Sequence, residues 1–378
     1  MNRFSAKAPA RANIIGEHTD YATNQGHVLP TPLPFHTTVG VQEVAGAAGQ
    51  LTILSENYGN QPHQRRIDDA PNHHWTDYAV GCVRVVSKKV KLPALEIKIK
   101  SDVPIGSGIS SSAALCVATV RALKGLCGID VNDEQIALMA HEAEHDYVGV
   151  PCGKMDQYVC SLGHPGEALL LNTKTLNYRH YPLSTDTAIM LVNCGKKHDL
   201  ANGSGYKQRV AECTQARDLL KVATLCELGY EDLGRLSALP ELIARRARHV
   251  ITENLRVLEF VAALEVGDLE RQADLLAASH ASQRDDFEVS IPEIDALVES
   301  SIRFGIRGAR IVGGGFGGAI IALVPREQAA AWWSFVANEN PNSKLISTYA
   351  LKNNEPASLL RRAANDTRGT VGIGPAHH

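Results

Sequence analysis

The sequence predicts an α+β protein in two parts: a β-rich N-terminal half and an α+β C-terminal half that meet near residue 185. Three observations carry that prediction. Short runs of β-branched or alternating apolar residues, Thr37–Val41, Leu51–Leu54 and Leu95–Ile99, recur through the first hundred residues between glycine, asparagine and proline breaks, so that stretch reads as strands and turns. From Tyr206 to about Phe304 the apolar residues follow helical periodicity instead. Further on, Arg310–Val312 and Ala319–Val324 are short β-type runs on either side of Gly313–Gly318, a strand–loop–strand.

The elements between these regions fall in order. Ser110 begins a run of Ala, Leu, Val and Thr to Leu126 that is apolar nearly all round, which predicts a buried helix. Asn132, with Gln135 three residues later, resembles a capping box. The helix it opens carries Ile136, Met139, Ala140, Ala143 and Tyr147 on one face. Ala188–Val192 reads as another strand, and no internal repeat or long low-complexity linker interrupts the chain.

Composition narrows the function. Of 378 residues, 44% are hydrophobic and 21% charged, which is ordinary for a globular chain with a sizeable core. A net charge of −3 and a pI near 6.6 argue against a surface built to hold nucleic acid or an anionic membrane. No stretch of 18 apolar residues occurs, and Met1–Lys7 lacks the apolar run of a signal peptide. The eight cysteines form no CxxC pair and sit mostly in apolar segments, so free buried thiols and a reducing, cytosolic setting are expected.

Four segments carry chemistry. In Ala8–Tyr21, an apolar stretch gives way to Glu17, His18, Thr19, Asp20 and Tyr21, a set of acceptors and donors suited to the hydroxyls of a sugar; a polar surface turn would have a similar composition. In Pro104–Leu115, glycines free the backbone to wrap an anion, the following helix points its N-terminal N–H groups at the same spot, and a serine of its first turn can reach phosphate or Mg²⁺. This is not a Walker A loop, since no Gly-Lys-Ser/Thr follows, and the plainer reading is a capped Gly/Ser connector. In Glu144–Gln157, Glu144 lies beside an apolar helix face and Asp156 follows a Gly-Val-Pro-Cys-Gly turn that can hold it over a cleft; a solvated helix end and an ordinary loop aspartate fit equally well. Gly313–Gly318 holds five glycines in six residues, more than a hairpin turn needs, which points to close approach of the backbone to another group.

Two patterns mislead. His141-Glu142-Ala143-Glu144-His145 matches the zinc-protease HExxH, but Val148 and Pro151 stand where the extended form needs glycine and a third ligand. Gly313-x-Gly315-x-x-Gly318 fits the dinucleotide fingerprint, but a strand-like run follows it where a helix is required.

At the four segments the sequence resembles the galactokinase branch of the GHMP kinase superfamily. Ile15–Tyr21 resembles the galactokinase signature, Gly106–Leu115 the phosphate loop, Cys152–Gln157 the catalytic-aspartate segment and Gly313–Gly318 the third glycine motif. Further similarity runs through Trp75–Tyr78, Arg248-His249 with Glu253, and Ser279–Pro292. The resemblance implies a two-domain GHMP kinase fold, residues 1–185 like ribosomal protein S5 domain 2 and residues 186–378 ferredoxin-like, with the site between them. It implies ATP and Mg²⁺ as cofactors and galactose, phosphorylated at its anomeric hydroxyl, as substrate. By residue matching, Asp156 is the base with Arg11 beside it, and Glu17, His18, Asp20, Gly153, Asp156 and Tyr206 contact the sugar. Trp75, Pro104, Gly106, Ser107, Gly108, Ser110, Ser111 and Ser112 would hold the nucleotide, and Ser112 and Glu144 the metal. The expected partners are a small sugar and ATP, not nucleic acid or a membrane, and a monomer is expected.

Departures from the family bear on the sugar. Ala10 replaces the usual glycine before the arginine, the loop Tyr21–Pro30 is longer, Thr31–Pro34 is unusual, and the chain from Ala350 onward matches poorly. The competing expectations are a sister sugar-1-kinase acting on arabinose or N-acetylgalactosamine, and a non-catalytic sugar sensor. Thr19, where a bulkier apolar residue would suit an N-acetylated sugar, favours galactose.

Overall fold

The structure is a computed structural model and describes residues 2–20, 24–104, 108–196 and 204–349. Gly106 and Ser107, the start of the loop after Asp20, and the C-terminal tail lie outside the described residues.

The first sheet has five strands: β1 (Arg3–Asn13), β3 (Pro30–Glu43), β4 (Gln50–Ser55), β5 (His63–Arg66) and β6 (Leu95–Ser101), in the order β1-β3-β6-β4-β5. All its pairings are antiparallel except β4 with β6. A second, three-stranded sheet joins β2 (His27–Val28), β7 (Glu167–Asn172) and β8 (Tyr178–Pro182). The prolines of Thr31–Pro34 turn out to lie in a strand. They are tolerated because β6 pairs only with Thr37–Glu43, so β3 has a ladder partner on one side where the prolines sit.

Against these sheets pack α1 (Thr76–Ser87), α2 (Ser111–Cys127), α3 (Asp133–Glu142) and α4 (Met155–Leu162). The expectation of only strands and turns in the first hundred residues is corrected by α1: Ala79, Val80, Val83 and Val86 are fully buried, and tertiary packing outweighs the low helix propensity of its valines. As expected, α2 is buried over most of its circumference, and the Asn132–Gln135 capping box opens α3. That helix then widens into a π-helical turn over Ala143–Val148, which buries both Ala143 and Glu144.

The third sheet, ordered β10-β11-β9-β12, comprises β9 (Thr187–Asn193), β10 (Ala309–Val312), β11 (Ala319–Pro325) and β12 (Lys344–Tyr349). Five helices accompany it: α5 (Ser204–Leu220), α6 (Glu241–Glu265), α7 (Leu269–Asp285), α8 (Pro292–Phe304) and α9 (Ala329–Glu339). Gly313–Gly318 links β10 to β11, the strand–loop–strand of the sequence reading. Among the described residues, no helix is long and apolar enough to cross a membrane.

Candidate active site

Arg11 reaches the site through an irregularity in β1. The β1–β3 register shifts between Pro9 and Arg11, and such a bulge re-aims the side chain that follows it. Arg11 then donates its backbone N–H to the Ile109 carbonyl at 3.1 Å, its Nη1 to the Gly108 carbonyl at 3.0 Å, and Nε and Nη2 to the two oxygens of Asp156 at 2.7 and 3.0 Å. This is a bidentate pair, buried on the arginine side and 26% exposed at the aspartate, so the carboxylate faces both the strand and solvent.

Asp156 lies in the first turn of α4. A second donor to it is Ser110, which caps α2 in the left-handed conformation (φ 62°, ψ 49°), unusual for a residue with a side chain. Ser110 thus turns toward the aspartate. Ser111 is exposed and Ser112 half-buried in the first turn of α2, with Pro104 and Gly108 on the loop before it. A Cβ added at Gly313 would lie 3.5 Å from the Gly108 carbonyl, so the third glycine motif closes on the phosphate loop.

Glu144 is buried by the π-helical turn and hydrogen-bonded to Ser112 and, at 2.9 Å, to Gln157 Nε2. Burial pushes its carboxyl up and the charge of Asp156 adds to this, leaving it at about 7 despite the Ser112 and Gln157 hydrogen bonds. Asp20 behaves alike: burial, then Asp156 and Glu17, raise it to about 7. A Cβ at Gly153 would collide with the Asp20 carboxylate, so only glycine fits there. Tyr206 belongs to the same neighbourhood. Its ring centroid is 6.2 Å from that of His18, and burial followed by the charge of Asp20 drives its hydroxyl well up.

The rest of the signature turn is braced from the C-terminal half. Glu17 accepts Gly313 N at 2.8 Å and Arg310 Nη2 at 3.3 Å, so one of its oxygens ties the signature to the third glycine motif. Arg310 is fully buried and also holds the carbonyls of Asn13 and Ile14, each at 2.7 Å. His18 adopts a positive φ of 65° and sets its ring 4.6 Å from Phe287; burial, reinforced by His249, keeps it neutral. Thr19 uses its hydroxyl on the carbonyls of Gly16 and His27, at 2.9 and 2.8 Å.

Glu253 on α6 is the centre of that brace. It accepts Gly16 N at 3.0 Å, Ser279 Oγ at 2.7 Å and Arg256 Nε at 2.8 Å. Burial alone would push it up, but Arg256, His249 and Arg310 hold it at about 2. His249 bonds the Glu17 carbonyl at 3.2 Å and Ser282 at 3.0 Å.

The structure therefore brings Arg11, Ser110, Ser112, Glu144, Gly153, Asp156 and Asp20 together, with Glu17 and His18 in the adjoining wall. Trp75 stands apart in an aromatic group, its ring stacked on Tyr58 at 5.2 Å and edge-on to His63 at 5.3 Å. Sequence reading assigned no site role to Gln157, Glu253 or Arg310. The available signals were a polar residue next to Asp156, polar residues at i, i+4 and i+7 (His249, Glu253, Arg256) on a helix with buried Val250, Val257 and Phe260, and an arginine inside a wholly buried strand.

Known proteins match this chain along most of its length. Family models match at residues 2–43 (galactokinase galactose-binding signature), 77–164 (GHMP kinases N terminal domain) and 260–342 (GHMP kinases C terminal). A crystal structure of Lactococcus lactis galactokinase complexed with galactose superposes with a TM-score of 0.86 at 29% identity, over 93% of this chain and 94% of that one. Mevalonate kinase of Methanococcus jannaschii (TM-score 0.67, 16% identity, 92% and 98% covered) shares the fold. So does a D-glycero-D-manno-heptose 1-phosphate kinase from Bacteriodes thetaiotaomicron (0.61, 14%, 92% and 96%). With both halves, the sugar signature and the fold in agreement, this chain belongs to the GHMP kinases, in their galactokinase branch.

Proposed function

We propose that this chain moves the γ-phosphoryl group of ATP to the anomeric hydroxyl of galactose, with Asp156 receiving the O1 proton and Arg11 stabilising charge on the phosphoryl group. The observation that carries this reading is the bidentate Arg11–Asp156 pair, set between the helix that follows the phosphate loop and the Asp20–Gly153 contact. Ser110 occupies one oxygen of Asp156 and would yield it to the sugar hydroxyl. An anomeric hydroxyl is more acidic than an ordinary alcohol, so a carboxylate suffices as base.

Asp20 and Tyr206 would bind sugar hydroxyls, with Glu17 and His18 shaping the wall behind them and Gly153 leaving the room. Pro104, Gly108, Ser111 and the aromatic group at Trp75 would face the nucleotide. Ser112 and Glu144 fit a divalent cation: a buried carboxyl, raised to about 7 and bonded to a hydroxyl, is an anionic site short of positive charge. Bound there, Mg²⁺ would supply the charge that the β- and γ-phosphates need. The sheet drawn from residues 187–349 supports a division near residue 185, and eight free cysteines support a cytoplasmic setting.

The test is ADP release, followed by a coupled assay, across galactose, arabinose and N-acetylgalactosamine. Galactose is expected to give the highest kcat/KM. A clear preference for arabinose or the amino sugar overturns the substrate, and galactose binding with no ADP release overturns the enzyme.

A further inference from the structure

The zinc pattern in the sequence does not assemble. Glu142 is paired with Lys88, His145 Nδ1 with Asp146 Oδ1 at 2.7 Å, and His141 Nε2 meets the Cys152 carbonyl at 3.2 Å. Among the described residues, three metal-ligating side chains converge elsewhere: His164, Glu167 and His180 each offer one atom, and these atoms lie within 4.8 Å of one another. His164 is in the turn after α4, Glu167 opens β7, and His180 is the middle residue of β8. They sit at the far end of α4 from Asp156.

The cluster is partly oriented for an ion: the His180 ring is fixed, while His164 and Glu167 are paired with each other. The His164 and His180 rings are stacked 4.1 Å apart, 9° from parallel, and His164 Nδ1 meets Glu167 Oε2 at 3.0 Å. His180 Nε2 lies 2.9 Å from the Leu162 carbonyl. A carbonyl only accepts, so that nitrogen carries the proton and Nδ1 of the neutral ring keeps its lone pair. Metal-binding histidines are characteristically fixed in this way, by a backbone carbonyl on the far N–H.

We propose that His164, Glu167 and His180 form a surface site for a divalent transition-metal ion of the zinc class. Two imidazoles and one carboxylate select Zn²⁺ and its neighbours over Mg²⁺ or Ca²⁺, which take oxygen ligands. In a tetrahedral site with bonds of about 2.1 Å the ligand atoms are about 3.4 Å apart, so the atoms close by roughly 1.4 Å at most and the His164 ring turns out of its stack on His180, because imidazole lone pairs lie in the ring plane. The His164 side chain, 63% exposed, has room for that movement. Water completes the coordination, and the ion staples the exit of α4 to the β7–β8 hairpin. The role is structural and separate from phosphoryl transfer.

Calorimetric titration of the tag-free full chain with Zn²⁺, paired with thermal denaturation, tests the site. One zinc per chain is expected, with Tm raised by about 3 °C at a hundredfold excess over Kd. Excess Mg²⁺ does not compete. His164→Ala/His180→Ala loses both effects while keeping its circular dichroism and its sugar-kinase activity, and His141→Ala/His145→Ala keeps both. No zinc uptake by the unaltered chain, or uptake that survives His164→Ala/His180→Ala, overturns the proposal. If that double variant melts early without metal, Glu167→Gln decides: zinc binding weakened at least about tenfold supports the site, and unchanged binding overturns it.

Discussion

Glu144 and Glu253 are both buried glutamates beside the motif residues, yet their surroundings drive them in opposite directions. Glu253 is met by two arginines, a histidine, Ser279 and the Gly16 backbone N–H, and is held at about 2. Among the described residues Glu144 has Ser112 and Gln157 as its side-chain hydrogen-bond partners, faces the charge of Asp156, and rises to about 7. Glu253 is a strut whose charge is already balanced inside the protein. Glu144, like Asp20, is short of positive charge or hydrogen-bond donors, as a group is where a ligand or cation binds. In this molecule the direction of a carboxyl's shift separates residues that hold the turn from residues that await something.

The sharpest test of that contrast lies on the waiting side, at Asp156, whose charge acts on both Glu144 and Asp20. Asp156→Ala is expected to lower kcat by about 10³-fold while ATP binding, measured by calorimetry, is retained. Substantial residual turnover would remove Asp156 from the base role. On the strut side, Glu253→Ala leaves Arg256 with an uncompensated buried charge and is expected to cost about 3–5 kcal/mol in urea unfolding. If stability hardly changes, Glu253 does not brace the signature turn.

Gly153→Ala, which forces Asp20 aside, is expected to lower kcat/KM for the sugar by up to about 10²-fold with KM for ATP unchanged. The pH response distinguishes the two glutamates most directly. Glu144 has a folded-state pKa above its unfolded value of about 4.5, so its protonated form favours the fold. That contribution is full below pH 4.5 and is lost as pH rises through about 7. A cation needs the ionised form, so the Mg²⁺ concentration for half-maximal rate should fall between pH 6 and 8, and this trend should vanish in Glu144→Gln. Glu253 runs the other way: its contribution is present above about 4.5 and disappears as pH falls through about 2. The smallest effect is expected at Trp75→Ala, about fivefold in KM for ATP with the sugar KM unmoved, read in the same ADP-release assay.

Much of the site was legible before any coordinates. Arg11, Asp156 and Glu144 stand in short segments that a plain surface reading fits equally well one at a time, and it is the four segments in order that resemble the family, while α2 and α3 follow from periodicity and a capping box. The strands β9, β10 and β11 agree with their sequence runs to within a residue or two. What was not legible has a common cause. The helix α1 is rich in valines and is decided by the core they meet, and β7 and β8 by their ladder partners.

The sequence by itself determined the family and singled out the glycine loops and the candidate acid–base and cation residues, because these are local patterns. Only the tertiary structure decided which carboxylates are satisfied. Glu253 reaches a backbone N–H 237 residues earlier in the chain, and Glu17 reaches one 296 residues later. A charged residue on a helix reads as a solvated face until its partners are known, since burial and pairing are properties of contacts that no local period records. The same holds for His164, Glu167 and His180, which converge only when β8 folds back along β7 beside the turn after α4.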